Sequence, residues 1–283
     1  MVPDSFLKTA LSKVLSFSLL ILVVASCGPA KKANYSLPAE TTLKTKIKTE
    51  KFQTGADNVS SYSKLIEKKK VDIVTNQTGL ITYDSIFKLA PEEGLYKESR
   101  VTKTEHIVDY LINKADVDLV KIYAPEHGFR GTASNGELIS DGKDTKTGLP
   151  ILSLYGNSKK PSPKQLIGID ILMFDLQDVG GRFYTYISHL HYIMEACAEQ
   201  NIPLIILDRP NPNGGIVDGP ILEKEHSSFV GMHTIPVLHG MTIGEYALMI
   251  NGEGWLANGI QCELKIVPCE NYNREMPYSL PVK

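Results

Sequence analysis

Apolar residues recur along this chain in two rhythms. From about residue 57 onward, short and nearly continuous apolar runs alternate with stretches whose apolar positions fall three and four residues apart. Ser61 to Lys70 reads as a short helix with Leu65 and Ile66 facing inward, and it feeds a strand from Val71 to Thr75. Thr104 to Ala115 carries a capping residue followed by Ile107, Val108, Leu111 and Ile112 at helical spacing. Strands follow at Leu119–Tyr123, Asp170–Phe174 and Pro203–Leu207. Between the last two, Tyr186–Gln200 has Ile187, Leu190, Ile193, Met194 and Cys197 on one side of a helix. Strands apolar on both faces need cover on both faces. The expected fold is therefore α/β, with a Rossmann-like, doubly wound, mainly parallel sheet.

The same pattern fails at the start of the chain. Lys8 and Lys13 precede an apolar run, Val14 to Ser26, that is short for a membrane span and has the shape of an export signal. Val24, Ala25 and Ser26 before Cys27 resemble a bacterial lipobox, which makes Cys27 the expected lipidation site and the first mature residue; an ordinary secretory signal or a lone anchor is the plainer alternative. Residues 28–56, rich in Lys, Thr, Ala and Pro, read as a flexible tether. Residues 1–27 are thus expected as leader and the residues from 57 onward as the folded body.

Composition adds mainly exclusions. The 283 residues are 42% hydrophobic and 22% charged, with a formal net charge of −2, so nothing favours a nucleic-acid partner. After Cys27, three cysteines remain: Cys197 sits in a helical pattern as a small apolar residue, while Cys262 and Cys269 allow one local bridge. None has zinc-like spacing, and no metal or cofactor is expected. There is no GxGxxG after a strand, no GxxxxGK(S/T) loop, no HExxH and no GxSxG elbow.

Polar clusters lie just past four of the strands: Asn76–Gly79, Pro125–Gly131, Asp175–Tyr186 and Asp208–Gly215. Ligands of open parallel sheets bind beyond the carboxyl ends of the strands, so the four clusters point to one crevice. Carboxylates, guanidinium groups, amides and tyrosines suit a polyhydroxylated, acidic ligand, and glycoside cleavage needs a carboxylic acid to protonate the leaving oxygen. Glu126 is the first candidate for that acid/base, with a loop-capping role as its alternative. His127 is a candidate proton partner or merely a satisfied loop histidine. Of Asp175 and Asp178, one is a candidate catalytic or orienting group, and the other pins the turn at Gly180–Gly181. Arg130, Arg182 and Arg209 are candidate carboxylate clamps, each with a structural ion pair as its alternative. Tyr184 and Tyr186 could stack on sugar rings or pack in the core. The turn holding Asn211 reads as conformational first. Glu245, three residues beyond Thr242, reads as half of a capping box.

The segments NQTGL (76–80), APEHGFRG (124–131), TGLPILSLYG (147–156), FDLQDVGGRFYTYI (174–187), LDRPNPNGG (207–215) and HGMTIGE (239–245) resemble the exo-β-N-acetylmuramidases, long catalogued as a bacterial domain of unknown function. The resemblance implies a glycoside hydrolase that releases N-acetylmuramic acid from the non-reducing ends of peptidoglycan fragments, with its cleft between a Rossmann-like catalytic domain, 57–240, and a smaller C-terminal α+β domain that begins with 241–283. The family's glutamate falls on Glu126. The implied catalytic set is Glu126, His127 and Asp178. The implied substrate-binding set is Asn76, Arg130, Gln177, Arg182, Tyr184, Asp208, Arg209, Asn211, His239 and Glu245, whose cations have the lactyl carboxylate as a natural ligand. Gly180-Gly181-Arg182 stands where the family usually reads Gly-Ala-Arg, and the chain stops in mid-family, so further residues are expected to follow. The expected setting is the cell envelope, with muropeptides as partners and the membrane reached through the lipid on Cys27. The alternative is a non-catalytic, muropeptide-binding lipoprotein.

Overall fold

Four buried strands set the architecture. In the computed structural model, which describes residues 51–88, 98–114, 116–126, 128–131, 141–156 and 158–282, the apolar runs form β1 (Lys70–Thr75), β4 (Asp118–Ala124), β7 (Ile171–Asp175) and β8 (Leu204–Leu207). Shorter strands complete the list: β5 (Gly142–Lys143), β6 (Pro150–Ser153), β9 (Val217–Asp218), β10 (Leu238–His239) and β11 (Leu264–Val267). The main sheet runs β11-β8-β7-β1-β4-β6-β5, parallel throughout except for β5 at one edge.

Alternate strand residues face opposite layers, as the pleat requires. Val74, Leu172, Phe174, Leu204 and Ile206 pack against α3 (Tyr186–Gln200) and α4 (Ile243–Gly252). Ile73, Ile122, Met173, Ile205 and Leu207 pack against α1 (Val59–Ile66) and α2 (Ile107–Ile112). The sheet is thus doubly wound and α/β, as its apolar rhythm predicts. From β1 the chain builds outward to β4 and β6, then returns to β7 on the other side of β1. The switch in strand order therefore lies between β1 and β7, where such sheets open a crevice.

Local chemistry explains the element ends. Helix α3 stops at Asn201, whose φ of 54° is left-handed and whose N–H reaches back to the last carbonyls. Helix α4 starts on the expected capping box: the Thr242 hydroxyl accepts from Glu245 N–H, and the Glu245 carboxylate accepts from Thr242 N–H.

Several expectations need correction. Thr104 does not cap a helix; it lies in β3 (Glu98–His106), which pairs with β2 (Leu80–Lys88) in a long antiparallel hairpin outside the main sheet. The Thr82 and Thr104 hydroxyls are 3.0 Å apart across it, and His106 takes over the cap of α2. Residues 51–56, expected as tether, are part of the body. Gln53 bridges to Glu270, Gly55 N–H donates to the Asp208 carbonyl at 2.8 Å, and Ala56 is buried. Residues past 240, expected to open a second domain, instead supply α4 and the edge strand β11 of the same sheet. Cys262 and Cys269 do not pair; they and Cys197 are free thiols, with Cys197 and Cys262 buried in the core. The leader, Cys27, the tether before residue 51 and His127 lie outside the described residues.

Candidate functional site

Just past β1 the chain makes a turn built on Asn76. Its side-chain oxygen accepts from both the N–H and the hydroxyl of Thr78 (2.9 and 2.6 Å), and its amide donates to the Tyr186 hydroxyl at 2.9 Å. The Asn76 carbonyl lies 2.8 Å from His106 Nε2. Because His106 Nδ1 accepts from Val108 N–H, Nε2 carries the ring proton and donates. Burial lowers the His106 pKa and keeps the ring neutral, as this arrangement demands. Gln177 N–H, just past β7, donates to the Thr78 hydroxyl (3.1 Å) and so ties the two strand ends across the switch point.

Glu126 stands at the end of β4, half-buried, beside Tyr155. Its charge, chiefly, raises the Tyr155 phenol above the ordinary tyrosine range. Burial pushes the Tyr186 phenol up to about 12, and the charges of Glu126 and Asp178 push in the same direction. The Tyr186 hydroxyl is thus held by Asn76 and feels the charges of Glu126 and Asp178. Tyr184, about half exposed, stands at the rim beside Phe183.

Asp178 and His239 complete the inner wall, both about 5% exposed. Asp178 Oδ2 accepts from Gly180 N–H (2.7 Å) and lies 3.6 Å from His239 Nε2. That turn admits no side chain at Gly180: φ is +73°, and a Cβ would stand 2.0 Å from Asn211 Oδ1. His239 Nδ1 accepts from Met241 N–H, so the proton of the neutral ring sits on Nε2. Among the described residues, Asp178 Oδ1 and His239 Nε2 have no hydrogen-bond partner although both are buried. Buried polar groups are normally satisfied, so an acceptor and a donor left open side by side suit a ligand hydroxyl.

Most of the expected ligand clamps are engaged elsewhere. Arg209 is fully buried and grips Asp175 through Nε (2.6 Å) and Nη2 (3.0 Å), with Nη2 also donating to the Leu80 carbonyl. Arg130 joins Asp144 (2.8 Å) and Asp109 (3.0 Å), fastening the Glu126 loop to α2 and to the turn at Thr147. Its guanidinium holds the Asp144 carboxyl far below the usual carboxylate range. The Arg182 guanidinium donates to the carbonyls of Pro220 and Ile235. Gln177 Nε2 donates to the Asp178 and Pro210 carbonyls, while its side-chain oxygen accepts from Tyr278. Asn211 donates to the Met241 carbonyl and accepts from Asn213 N–H, a turn-building role. Asp208 accepts from Thr242, Gly244 and its neighbour Arg209, anchoring α4. Glu245 closes the capping box and pairs with Arg274. Asn76, Glu126, Asp178, Tyr184, Tyr186 and His239 therefore remain the candidate site residues. Tyr155 was missed; its only sequence signal is its place in LSLYG, past a strand that pairs with β4. Among the described residues, no three of His, Cys, Asp and Glu are grouped to hold a metal ion.

The doubly wound, mainly parallel sheet, with Glu126 and Asp178 just past the ends of its central strands, places the chain among the Rossmann-like α/β proteins. Within that class it belongs to a defined family: residues 71–282 match "Exo-beta-N-acetylmuramidase NamZ, N-terminal". It is 42% identical over 233 residues to the peptidoglycan beta-N-acetylmuramidase NamZ of Bacillus subtilis (strain 168), covering 82% of this chain and 50% of that protein. Two crystal structures of DUF1343 family proteins from Bacteroides fragilis NCTC 9343 match with a TM-score of 0.66 each. They are 39% and 38% identical, covering 82% and 80% of this chain and 56% and 52% of theirs. The chain spans about half the length of the curated relative it matches.

Proposed function

We propose that this chain carries the acid-bearing half of an exo-β-N-acetylmuramidase, a glycoside hydrolase releasing N-acetylmuramic acid from the non-reducing ends of peptidoglycan fragments. The observation that supports it most is the position of Glu126 just past β4, the strand next to β1, in a chain 42% identical to a named peptidoglycan muramidase. Glu126 protonates the glycosidic oxygen as the bond to the anomeric carbon breaks, and positive charge develops on the sugar ring. Asp178, with its free Oδ1, faces that charge, and His239 Nε2–H holds a sugar hydroxyl. Water then bonds to the anomeric carbon and gives its proton to a carboxylate. His127, adjacent to Glu126, is the proton partner, and Tyr184 offers its ring face at the rim.

The test is Glu126→Gln in the full chain, assayed on a chromogenic muramic acid glycoside. General acid/base catalysis contributes about 10²- to 10⁴-fold, so hydrolysis should fall by that factor while muropeptide binding persists. An unmutated chain that binds muropeptides and releases no sugar would leave only the binding-lipoprotein reading. Lipid on Cys27 tethers the protein to the envelope; Cys27→Ala should move it from the membrane to the soluble fraction, and unchanged fractionation would remove the anchor.

A further inference from the structure

Glu126 lies in a short span of chain that is fastened at both ends. Upstream, the carbonyl of Ala124, the last residue of β4, accepts from Leu154 N–H at 2.8 Å, just past β6. Downstream, Phe129 is buried and packs edge-to-face on His106, the ring centres 4.8 Å apart. The next residue, Arg130, meets two carboxylates. Its Nε and Nη2 donate to Oδ1 and Oδ2 of Asp144, both at 2.8 Å. Nη2 also donates to Asp109 Oδ1 at 3.0 Å, and Nη1 reaches Asp109 Oδ2 at 3.4 Å. Both carboxylates are themselves fixed. Asp144 is buried; its Oδ2 accepts from the N–H (3.0 Å) and the hydroxyl (2.6 Å) of Thr147, and its own N–H donates to the Leu149 carbonyl, next to β6. Asp109, buried on α2, accepts from Lys146 Nζ at 2.7 Å.

A guanidinium binds carboxylates through two-point edges of a planar fork. Here both edges, Nε–Nη2 and Nη1–Nη2, are taken by the two aspartates, which leaves neither for a substrate carboxylate. What such a grip supplies above all is direction, because the fork accepts its partners in one plane and one orientation. The span it directs has little stiffness of its own. Gly128 has a φ of +76°, the left-handed region that glycine enters freely, and its N–H donates to the Pro125 carbonyl at 3.1 Å. The course of the chain past Glu126 is therefore set by its anchors.

We propose that Asp144 is a positioning residue which, by gripping Arg130, holds the Glu126 carboxyl at the bond to be broken, with Asp109 as the second half of the same brace. This rests on the reading of Glu126 as the general acid. Arg130 is the link: it stands four residues after Glu126 in the chain and meets Asp144 across the turn that leads into β6, the strand paired with β4. The brace also persists in acid, because the guanidinium holds the Asp144 carboxyl far below the usual carboxylate range.

Two measurements on the full chain test the idea. The first is kinetic, on the chromogenic muramic acid glycoside. A catalytic group misplaced by about 1 Å costs about 10²-fold, so Asp144→Ala should lower kcat by that factor with KM within about threefold. In the Glu126→Gln background the same substitution should cost less than about twofold, because no acid is left to position. A loss that appears as a raised KM means that the pair serves substrate binding. A loss undiminished beside Glu126→Gln means that it only supports the fold. Either outcome overturns the proposal. Arg130→Lys keeps the charge and forfeits the fork, so it should reproduce the loss of kcat; a kcat equal to that of the unmutated chain overturns the proposal as well. The second measurement needs no activity: hydrogen exchange of the peptide covering residues 124–131. Asp144→Ala should speed exchange there about tenfold while β1 and β7 keep their protection, and unchanged exchange overturns the proposal. An unmutated chain without hydrolysis defeats the reading of Glu126 instead, and the exchange data still decide whether Asp144 holds that span.

Discussion

Two aspartates three residues apart on one segment have opposite surroundings. Asp175, the last residue of β7, is wholly buried and meets a wholly buried guanidinium from Arg209 in a two-point grip. Asp178 is nearly as buried but has one backbone N–H on Oδ2, a histidine at 3.6 Å and nothing on Oδ1. A buried charge is tolerable only when paired and hydrogen-bonded, so the first arrangement is closed and the second is not. The contrast separates a residue that holds the strand ends together from one whose Oδ1 is left unsatisfied among the described residues. Proximity in sequence, shared charge and similar burial do not distinguish them; satisfaction of their hydrogen bonds does.

The largest effect should come from the closed pair. Asp175→Ala leaves Arg209 buried without its partner and should cost about 3–5 kcal/mol of stability, read from the urea midpoint. A variant as stable as its parent would mean that the pair does not brace the sheet. Asp178→Asn keeps an acceptor for Gly180 N–H, so its stability should change by less than about 1 kcal/mol. Hydrolysis, in contrast, should fall on the order of 10²-fold, as for loss of a charge-stabilising group. Equal losses of stability in the two variants would dissolve the distinction.

Asp208 sharpens it further, because it has neutral donors only. Burial, chiefly, pushes its pKa up to about 6 despite donors from Gly244, Thr242 and Arg209. The folded state therefore holds the proton more tightly than the unfolded chain. Its contribution to stability is full below the unfolded pKa and is lost as pH rises through about 6. Between about pH 4 and 6 the parent should lose up to about 1.4 kcal/mol per pH unit relative to Asp208→Asn. Parallel stability curves for the two proteins across that interval would rule this out.

Much of the scaffold is legible in the sequence because local pattern and tertiary need coincide there. The spacing of Ile187, Leu190, Ile193, Met194 and Cys197 defines α3 to the residue, and Thr242 with Glu245 defines the start of α4. The β2–β3 hairpin is not legible. Its second strand, β3, mixes Thr, Lys, Glu and Ser around the single apolar Val101, and Thr104 mimics a helix cap until Thr82 pairs with it across 22 residues. The edge strand β11 likewise owes its place to β8, a partner 60 residues away in the register. The polar crevice is legible as a cluster, but not the duties within it. Nothing local to Arg209 reveals Asp175, and nothing local to Arg130 reveals Asp109 and Asp144. Long side chains choose their partners in three dimensions, so three expected clamps are braces.

The paired glycines at 180 and 181 divide tolerance unevenly. A methyl group at 181 would meet the Phe183 ring, no closer than 3.4 Å, and the Tyr184 ring at 3.8 Å, which is ordinary contact. The same methyl at 180 would collide with Asn211 from a backbone angle that L-residues resist. The Gly-Ala-Arg wording usual among the exo-β-N-acetylmuramidases thus differs from this chain at the permissive member of the pair. In a saturation library, the first glycine should survive as itself alone, while the second drifts among small residues.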